Sequence, residues 1–290
     1  MSKPLIVVTG KNGQLGSELE LLAPSFAAAY DFLFADRALL DLSSNESIDN
    51  FCASHKPAVV INCAAYTAVD KAETEKDLAY QINATAVGKL ATYCNNINAL
   101  FITISTDYVF NGNGTTPYLP SDATHPVNYY GETKAAGEQL AITNNPNSII
   151  IRTSWVYSRF GNNFVKTMIR LMWERPSLNV VGDQIGAPTY AADLAAAIMQ
   201  VVAQKLNGNT HTGIYHYSNS GNISWYDFAV AIGEISKSDC SINRIKSIEF
   251  PTPAKRPQYA LMNCDSIIVD FKVKQPNWKV SLDLCLTNNC

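Results

Sequence analysis

The stretch YYGETKAAGEQ, residues 129–139, holds a phenol and an amine at a spacing that suits proton transfer. Lys134 follows Tyr130 by four residues and Tyr129 by five, and on a helix only the first spacing puts two side chains on one face. A free phenol has a pKa of about 10, and a neighbouring ammonium favours the phenolate, which makes the hydroxyl more useful for proton transfer. The spacing predicts an acid–base pair of Tyr130 and Lys134, with a surface helix pair as the alternative.

A glycine-rich turn, VTGKNGQLGSEL, carries Gly10, Gly13 and Gly16 between the first apolar run and the first amphipathic run. A pyrophosphate needs backbone N–H groups at a helix N-terminus, and side chains there would hold it away. The second predicted strand ends at Asp36, about twenty residues after Gly16, where a carboxylate meets adenosine ribose hydroxyls. Together these features predict dinucleotide binding, although a glycine triplet alone also fits a tight turn.

The residues after the second strand leave the choice of cofactor open. Asp36 favours NAD, whereas the guanidinium of Arg37 can pair with a 2′-phosphate and admit NADP. Lys134 can also hydrogen-bond a ribose hydroxyl of the cofactor. We therefore expect either NADH or NADPH to serve.

A polar loop follows the core strand of TISTDYVFNG. Ligands of open α/β sheets lie beyond the carboxyl ends of the strands, so Ser105, Thr106 and Asp107 are expected to face the crevice. Thr106 can donate a hydrogen bond to a substrate carbonyl and strengthen it as oxyanion character develops. The alternative is that these residues only satisfy the end of a strand.

Strands and helices alternate up to about residue 155. Apolar strands with helical crossovers predict an α/β fold with a doubly wound parallel sheet of the Rossmann type. Later helices are separated by Gly/Pro/Asn-rich loops and short strands, which predicts a smaller C-terminal lobe interleaved with the main sheet. We predict a dinucleotide-binding domain over residues 1–155 and a mainly substrate-binding lobe over 156–290.

Three local predictions are more specific. The run NSIIIRTSWVY is expected to form one strand, and EKDLAYQINATAVGKLATYCNN one long helix. Ser43 and Glu46 have the spacing of a capping box at the start of another helix.

Composition excludes several functions. The 290 residues include 22 Lys and Arg and 25 Asp and Glu. The chain therefore lacks the excess of basic residues that is typical of nucleic-acid-binding proteins. The opening MSKPLIVVTG is a strand entering a turn and predicts a cytoplasmic protein. The longest apolar stretch contains Asp193 and is too short to cross a membrane.

Cysteine and histidine usage points to no metal. The seven cysteines never form a CxxC pair, so neither a disulfide framework nor a zinc site is expected. No ligand spacing occurs among the four histidines, His55, His125, His211 and His216.

Several motifs together resemble one family, the dTDP-4-dehydrorhamnose reductases of the extended short-chain dehydrogenase/reductase superfamily. The motifs, which cover residues 5 to about 265, are TGKNGQLG, NCAAYTAVDKAE, STDYVFNG, YGETKAAGE, RTSWVYS, NNFVKTMIRLM, GDQIGAPT and ISWYDFA. The resemblance implies reduction of the 4-keto group of a dTDP-6-deoxy-hexulose, with dTDP-L-rhamnose as the product. It also implies a catalytic triad of Thr106, Tyr130 and Lys134.

Further roles follow from the resemblance alone. It places Gly13, Gln14 and Leu15 on the pyrophosphate, Asp41 and Leu42 near the adenine, and Ala64, Ala65, Tyr66 and Thr67 along the inner half of the cofactor. It places Thr106 and Asp107 on the hexose, Trp155 over a sugar face and Arg256 on the substrate diphosphate. Trp155 could equally be a core residue, and Arg256 could form a surface salt bridge.

Other functions stay open at this point. One alternative is a 4,6-dehydratase, whose elimination reaction needs an extra carboxylate directly after the threonine and the aspartate. This chain has Tyr108 at that position, which argues against elimination. A 4-epimerase also uses a Tyr/Lys pair. A non-catalytic, dinucleotide-binding regulatory subunit, similar to the β subunit of methionine adenosyltransferase, is the alternative outside enzymology. A homodimer is possible, and no metal site can be placed.

Overall fold

The computed structural model describes residues 2–287, and strands and helices alternate through the first half of the chain. These elements are β1 (Leu5–Thr9), α1 (Gln14–Leu22), β2 (Asp31–Ala35), α2 (Asn45–Ser54), β3 (Val59–Asn62), α3 (Val69–Ala72), α4 (Lys76–Tyr80), α5 (Ala86–Asn96), β4 (Leu100–Thr106), α6 (Tyr129–Asn144) and β5 (Ile149–Thr153). Short 3-10 turns span Ala23–Phe26 and Asp107–Val109, and a π-helical segment spans Gln81–Thr85.

The second half contains shorter strands between its helices. Its elements are β6 (Val156–Tyr157), α7 (Phe164–Glu174), β7 (Ser177–Val181), β8 (Ile185–Gly186), β9 (Thr189–Tyr190), α8 (Ala191–Leu206), β10 (Gly213–His216), β11 (Ile223–Ser224), α9 (Trp225–Ser236), β12 (Ser241–Ile245), α10 (Asp265–Phe271) and α11 (Trp278–Thr287). A 3-10 turn, Ser247–Glu249, lies between β12 and α10.

The main sheet has six parallel strands in the order β10-β5-β4-β3-β1-β2. Alternate side chains of each strand enter two different cores: Val8 and Ile61 pack with α1, α8 and α10, whereas Val7 and Val60 pack with α2, α5 and α6. Burial on both faces is why these strands are continuous apolar runs. The predicted α/β, doubly wound Rossmann-type fold is confirmed.

The second half of the chain contributes to this sheet and also forms a core of its own. Strand β10 pairs with β5 at the edge, and helix α8 packs on the same face as α1. A separate core joins α7, α9 and α11 with the two-stranded β7–β12 sheet, through residues such as Val165, Phe228 and Leu282. The C-terminal lobe is therefore interleaved with the main sheet.

Three local predictions were wrong in detail. The run NSIIIRTSWVY breaks into β5 and β6 because Trp155 adopts a left-handed backbone, with φ at +48°. Helix α2 is capped by Ser44, whose side chain accepts the Ser47 N–H, while Ser43 bonds Asp41 instead. The long helix is divided by the π-helical segment.

That π-helical segment has a positioning role, as such segments frequently do at functional sites. Its Asn83 accepts the Tyr66 N–H at 2.9 Å and donates to the Tyr66 carbonyl at 3.0 Å and to Thr133 Oγ1 at 3.0 Å. A Cβ at Gly137 would lie 2.1 Å from the Asn83 carbonyl oxygen, so a glycine is required for this approach. The segment thus fixes α6 against the loop that follows β3.

The cysteines of the described residues are of two kinds. Five cysteines of the described residues are free, namely Cys52, Cys63, Cys94, Cys240 and Cys264. Cys285 is disulfide-bonded, a pairing that the cysteine spacing did not predict. None of the helices over residues 2–287 has the length and apolarity to span a membrane. Within the same range, no cluster of three or more His, Cys, Asp or Glu side chains could hold a metal ion.

Candidate active site

A crevice of about 630 Å³ lies beyond the carboxyl ends of β1, β3, β4 and β5. This position and size suit a ligand site of an open α/β sheet. Most of the predicted site residues line it: Gly10, Gly13, Gln14, Leu15, Asp36, Arg37, Ala64, Ala65, Thr67, Thr106, Asp107, Tyr130, Lys134 and Trp155. Ser105 lines it as well.

The glycine turn leaves the N-terminus of α1 open to the crevice. Gly10 has φ at +72°, and a Cβ there would lie 2.8 Å from the Ala64 nitrogen. Gly13 is the N-cap of α1 and provides no side-chain cap, so the first N–H groups of the helix are available to a ligand. Such an end also carries partial positive charge, and it therefore suits a pyrophosphate.

Gln14 links this turn to the loop before α7. Its Nε2 donates to the Val156 carbonyl at 3.3 Å, and its Oε1 accepts from Asn163 Nδ2 at 3.0 Å. Gly161 and Asn162 of the same loop line the crevice. The loop therefore forms a wall of the crevice beside the glycine turn.

Asp36 and Arg37 lie at one end of the crevice. Asp36 Oδ1 accepts the N–H groups of Ala38 and Leu39, which orients the carboxylate at the end of β2. The Arg37 side chain is 74% exposed and pairs with Asp41 at 3.1 Å. An exposed guanidinium beside a ribose-binding carboxylate can accept a 2′-phosphate.

Tyr130 and Lys134 lie on the buried face of α6, which starts at the N-cap Asn128. They are 8% and 5% exposed, and the Lys134 ammonium donates to the Ile104 carbonyl at 2.7 Å. The neighbouring Tyr129 is only partly buried, and its ring lies under the Lys76 ammonium. The helix therefore brings Tyr130, and not Tyr129, into the crevice with Lys134.

The pKa values of this pair differ from the sequence expectation. Burial raises the pKa of Tyr130, and its hydrogen bond with Thr106 opposes that rise only in part. Burial lowers the pKa of Lys134 to about 8, against an opposing contribution from Glu138. Desolvation is the largest contribution, so the pKa of Tyr130 lies above its ordinary value and not, as the sequence predicts, below it. Tyr130 is a protonated phenol at neutral pH and is suited to donate a proton.

Thr106 and Asp107 form a polar wall beside Tyr130. The Thr106 hydroxyl donates to Asp107 Oδ1 at 3.0 Å and accepts the Tyr108 N–H at 3.2 Å. Asp107 is 2% exposed, and among residues 2–287 its Oδ2 has no hydrogen-bond partner. Burial raises the pKa of Asp107 to about 7. An unsatisfied buried oxygen at the crevice is available to a ligand hydroxyl.

Trp155 presents an aromatic surface at the other wall. Its ring stacks on Trp225 with centroids 3.7 Å apart and planes 13° apart. A Cβ at Gly186 would lie 2.8 Å from the Trp155 ring, so the glycine gives the indole its space. The left-handed backbone of Trp155 turns the ring out of the β5 direction. Trp155, Gly186 and Trp225 belong to the motifs RTSWVY, GDQIGAPT and ISWYDFA. The three motifs therefore meet in one contact around the Trp155 ring.

Five predicted site residues lie outside the crevice lining. Gly16 packs beneath the turn, where a Cβ would lie 2.2 Å from the Gly10 carbonyl oxygen. Leu42 is in the core with α2 and α5, and Asp41 pairs with Arg37. The Tyr66 hydroxyl donates to Glu75, and Arg256 pairs with Asp70 at 2.8 Å.

Sequence reasoning missed several crevice residues. They are Lys11, Asn12, Cys63, Val69, Ile104, Tyr108, Thr153, Ser154, Val156, Gly161, Asn162 and Leu194. Lys11 and Asn12 lie inside the glycine turn, and Cys63 and Tyr108 adjoin predicted residues, so proximity in sequence was a usable signal. Nothing in the local sequence of Asn162 or Leu194 indicates that the fold brings them to the crevice.

Comparisons with known proteins agree with this site. Residues 4–290 match the family model described as the RmlD substrate binding domain. A dTDP-4-dehydrorhamnose reductase of Aggregatibacter actinomycetemcomitans is 40% identical over 285 residues, which cover 96% of each chain. The crystal structure of such a reductase from Clostridium acetobutylicum has a TM-score of 0.92 at 38% identity and covers 98% of this chain and 99% of its own. One from Bacillus anthracis, in complex with NADP, has a TM-score of 0.91 at 38% identity and covers 99% and 100%.

The six-stranded parallel sheet, the glycine turn and the buried Tyr/Lys pair define a Rossmann-type dinucleotide-binding oxidoreductase. The near-complete match to curated and solved relatives makes the family specific. The chain belongs to the dTDP-4-dehydrorhamnose reductase family. The predicted family and the predicted class, a nucleotide-sugar reductase, are confirmed.

Proposed function

We propose that this chain reduces the 4-keto group of dTDP-4-dehydro-L-rhamnose to dTDP-L-rhamnose with NADPH or NADH. The family supports the reaction, and the observation that carries the assignment to residues is the protonated, buried Tyr130 beside Lys134 in the crevice. The bound dinucleotide supplies the hydride. The residues of the chain must then hold the ketone and deliver a proton to its oxygen.

Tyr130 is the proton donor. Burial raises the pKa of this phenol, so it enters the reaction protonated. An alkoxide that forms at the sugar is a far stronger base than a phenolate, and it takes the proton in spite of the raised pKa. Thr106, which hydrogen-bonds Tyr130, can donate to the same carbonyl oxygen once its hydroxyl turns from Asp107 Oδ1, its present acceptor.

Lys134 supports the phenol after proton transfer. With its pKa at about 8, most of this side chain is charged at neutral pH. A charged ammonium near Tyr130 stabilises the phenolate left by the reaction, even though burial dominates in the resting crevice. Its present acceptor, the Ile104 carbonyl, is at the end of β4 and holds the ammonium at the crevice.

The lining fits the dinucleotide. The open N-terminus of α1 at Gly13 suits the pyrophosphate, Asp36 the adenosine ribose, and Ala64, Ala65 and Thr67 the inner half of the cofactor. Arg37 supports NADPH, and the Bacillus anthracis relative was solved in complex with NADP. NADH is admitted because Asp36 accepts the ribose hydroxyls of a cofactor without the phosphate.

The sugar nucleotide is proposed to lie between two walls. Asp107 supports the hexose with its unsatisfied Oδ2, and Trp155 provides a flat apolar surface for a sugar face. Arg256 supports the diphosphate, because its Nη1 is buried without a partner among the described residues while Nη2 bonds Asp70. The dTDP base itself comes from the family alone.

A homodimer in the cytoplasm is proposed as the form of the protein. Exposed apolar side chains, 80% for Trp173, 74% for Val269 and 57% for Val280, support association. Five of the six cysteines within residues 2–287 are free, which supports a reducing compartment, and the disulfide at Cys285 is the exception. Light scattering after size-exclusion chromatography tests the dimer, and a monomer mass at micromolar concentration contradicts it.

The activity is tested by NADPH consumption with dTDP-4-dehydro-L-rhamnose, with the product configuration read by NMR. Stoichiometric NADPH oxidation and dTDP-L-rhamnose as product are expected. Epimerisation without net consumption of NADPH identifies a 4-epimerase. A pure chain that binds NADPH but never oxidises it, and that binds a partner enzyme tightly, is the regulatory subunit instead.

A further inference from the structure

Glu138 continues the buried face of α6 one turn beyond Lys134. Tyr130, Lys134 and Glu138 are spaced by four residues, so they share one side of the helix. All three are buried, with Glu138 5% exposed. A carboxyl group this deeply buried needs partners or loses its charge.

The partners of Glu138 come from two neighbouring strands. Its Oε1 accepts from Ser105 Oγ at 2.5 Å and from Arg152 Nε at 2.9 Å, and its Oε2 accepts from Arg152 Nη2 at 2.7 Å. Such a bidentate guanidinium pair gives both carboxylate oxygens charge-assisted hydrogen bonds. Ser105 directly precedes Thr106, so the same carboxylate ties α6 to the end of β4 that carries the carbonyl-binding hydroxyl.

Charge explains what this carboxylate does for Lys134. Lys134 and Arg152 are two buried cations, and a guanidinium cannot release its proton in a protein. The ammonium can, so without an anion between them Lys134 is the group that would become neutral.

Other titratable groups around this cluster do not provide the anion. Burial lowers the pKa of His216, on β10, to about 3, so the imidazole beside Arg152 is neutral. Burial raises the pKa of Asp107, after β4, to about 7, so this carboxyl is only partly ionised at neutral pH. Tyr130 is a protonated phenol, as is Tyr108, whose pKa burial also raises. Cys63, at the end of β3, is a protonated thiol.

We propose that Glu138 is a positioning residue for the reduction, which holds Lys134 in its charged form beside Tyr130 and holds Ser105 and Thr106 in register with them. The proposal rests on the proposed function of this crevice. Glu138 itself does not line the crevice, so we expect it to act through its neighbours. Burial lowers the pKa of Lys134 and the charge of Glu138 raises it, which agrees with this role.

Glu138→Gln tests the proposal, because the amide oxygen can still accept from Ser105 and Arg152 Nε, while the charge and the bond from Arg152 Nη2 are lost. The pKa of Lys134, read by NMR of its Cε resonance and assigned with Lys134→Arg, should fall by about 1 to 3 units, the scale of losing a close opposite charge. The alkaline limb of kcat should move down by the same amount, and acidification should restore turnover. KM for the sugar nucleotide should change little. Glu132→Gln, an exposed carboxylate on the same helix, is the matched control and should change none of these values.

A second variant covers the case in which Glu138→Gln does not fold. Glu138→Gln with Arg152→Met removes both buried charges, a replacement that proteins often tolerate well. It should fold and still show a lowered pKa of Lys134, by less than Glu138→Gln alone because the Arg152 cation is removed together with the carboxylate. An unchanged Lys134 pKa in either folded variant, or a loss of turnover that is equal at all pH values, overturns the proposal. The NMR titration needs no turnover, so an inactive wild-type chain would refute the proposed function without deciding this inference.

Discussion

Replacing Gly16 by Ala tests whether the third glycine of the turn serves packing and not ligand contact. A Cβ at this position would lie 2.2 Å from the Gly10 carbonyl oxygen and 2.8 Å from its carbon. Both are backbone atoms, and Gly10 itself is constrained by its positive φ and by Ala64. Helix α1 must therefore move away from the turn to admit the methyl group.

Two opposing effects set the size of the loss. Alanine is favoured over glycine within a helix by about 1 kcal/mol. Overpacking costs about 1 to 3 kcal/mol, and a contact of 2.2 Å with backbone belongs at the top of that range. The net loss is about 2 kcal/mol, which lowers Tm by about 3 °C in a chain of 290 residues.

Gly13→Ala is the matched control from the same turn. There the Cβ would lie 3.2 Å from the Gly10 carbonyl oxygen, a tight contact that a shift of a few tenths of an ångström relieves, and φ is −82°, so alanine strains the turn far less than at Gly16. Because Gly13 lines the crevice, its alanine variant should keep Tm without ligand but show a smaller Tm increase with NADPH. Thermal unfolding with and without NADPH separates the two effects. A ligand-free Gly16→Ala protein that unfolds at the wild-type temperature refutes the packing argument.

Three further substitutions probe other parts of the crevice. Arg37→Ala should weaken NADPH binding more than NADH binding in titration calorimetry, because its side chain is 74% exposed and its guanidinium can turn from Asp41 to a 2′-phosphate; equal losses contradict this. Gly186→Ala should displace the Trp155 ring and raise KM for the sugar nucleotide, while the Kd for NADPH stays constant; a change in NADPH binding alone points to a different role. The Tm of Asp107→Asn relative to that of the wild type should increase as pH rises from about 4 to 7. Burial raises the pKa of Asp107 to about 7, so the wild type loses stability over this window while the amide does not. A Tm difference that is the same at both ends of the window contradicts this reasoning.

Much of the fold was predictable because the strands are buried on both faces. Val7 and Val8 enter opposite cores, and such strands appear in the sequence as unbroken apolar runs. The break at Trp155 was not predictable, because a left-handed tryptophan is rare and is held by tertiary contacts with Trp225 and Gly186. Local pattern gives no sign of such contacts.

The site was predictable where chemistry depends on short spacing. The four-residue interval between Tyr130 and Lys134 identifies the pair that the crevice contains. The direction of the Tyr130 pKa was not predictable, since it depends on how much water the fold removes. Glu138 was missed for the same reason, although it stands four residues after Lys134, because its partner Arg152 comes from a separate strand.

Arg256 shows a further limit of sequence reasoning. Its motif suggested a diphosphate contact, and the fold pairs it with Asp70, 186 residues away in the chain. Only the three-dimensional arrangement reveals that competing carboxylate. The diphosphate role stays a proposal.

Turnover of Tyr130→Phe against Tyr129→Phe is the most direct test of the central claim, that the buried phenol delivers the proton of the reduction. Both changes remove one hydroxyl from adjacent residues of α6, but only Tyr130 lines the crevice. With NADPH affinity nearly unchanged in both, Tyr130→Phe should lower kcat by about two to four decades, the scale of losing a general acid. Tyr129→Phe should keep the wild-type rate. Retained turnover in Tyr130→Phe, or an equal loss in both variants, contradicts the account.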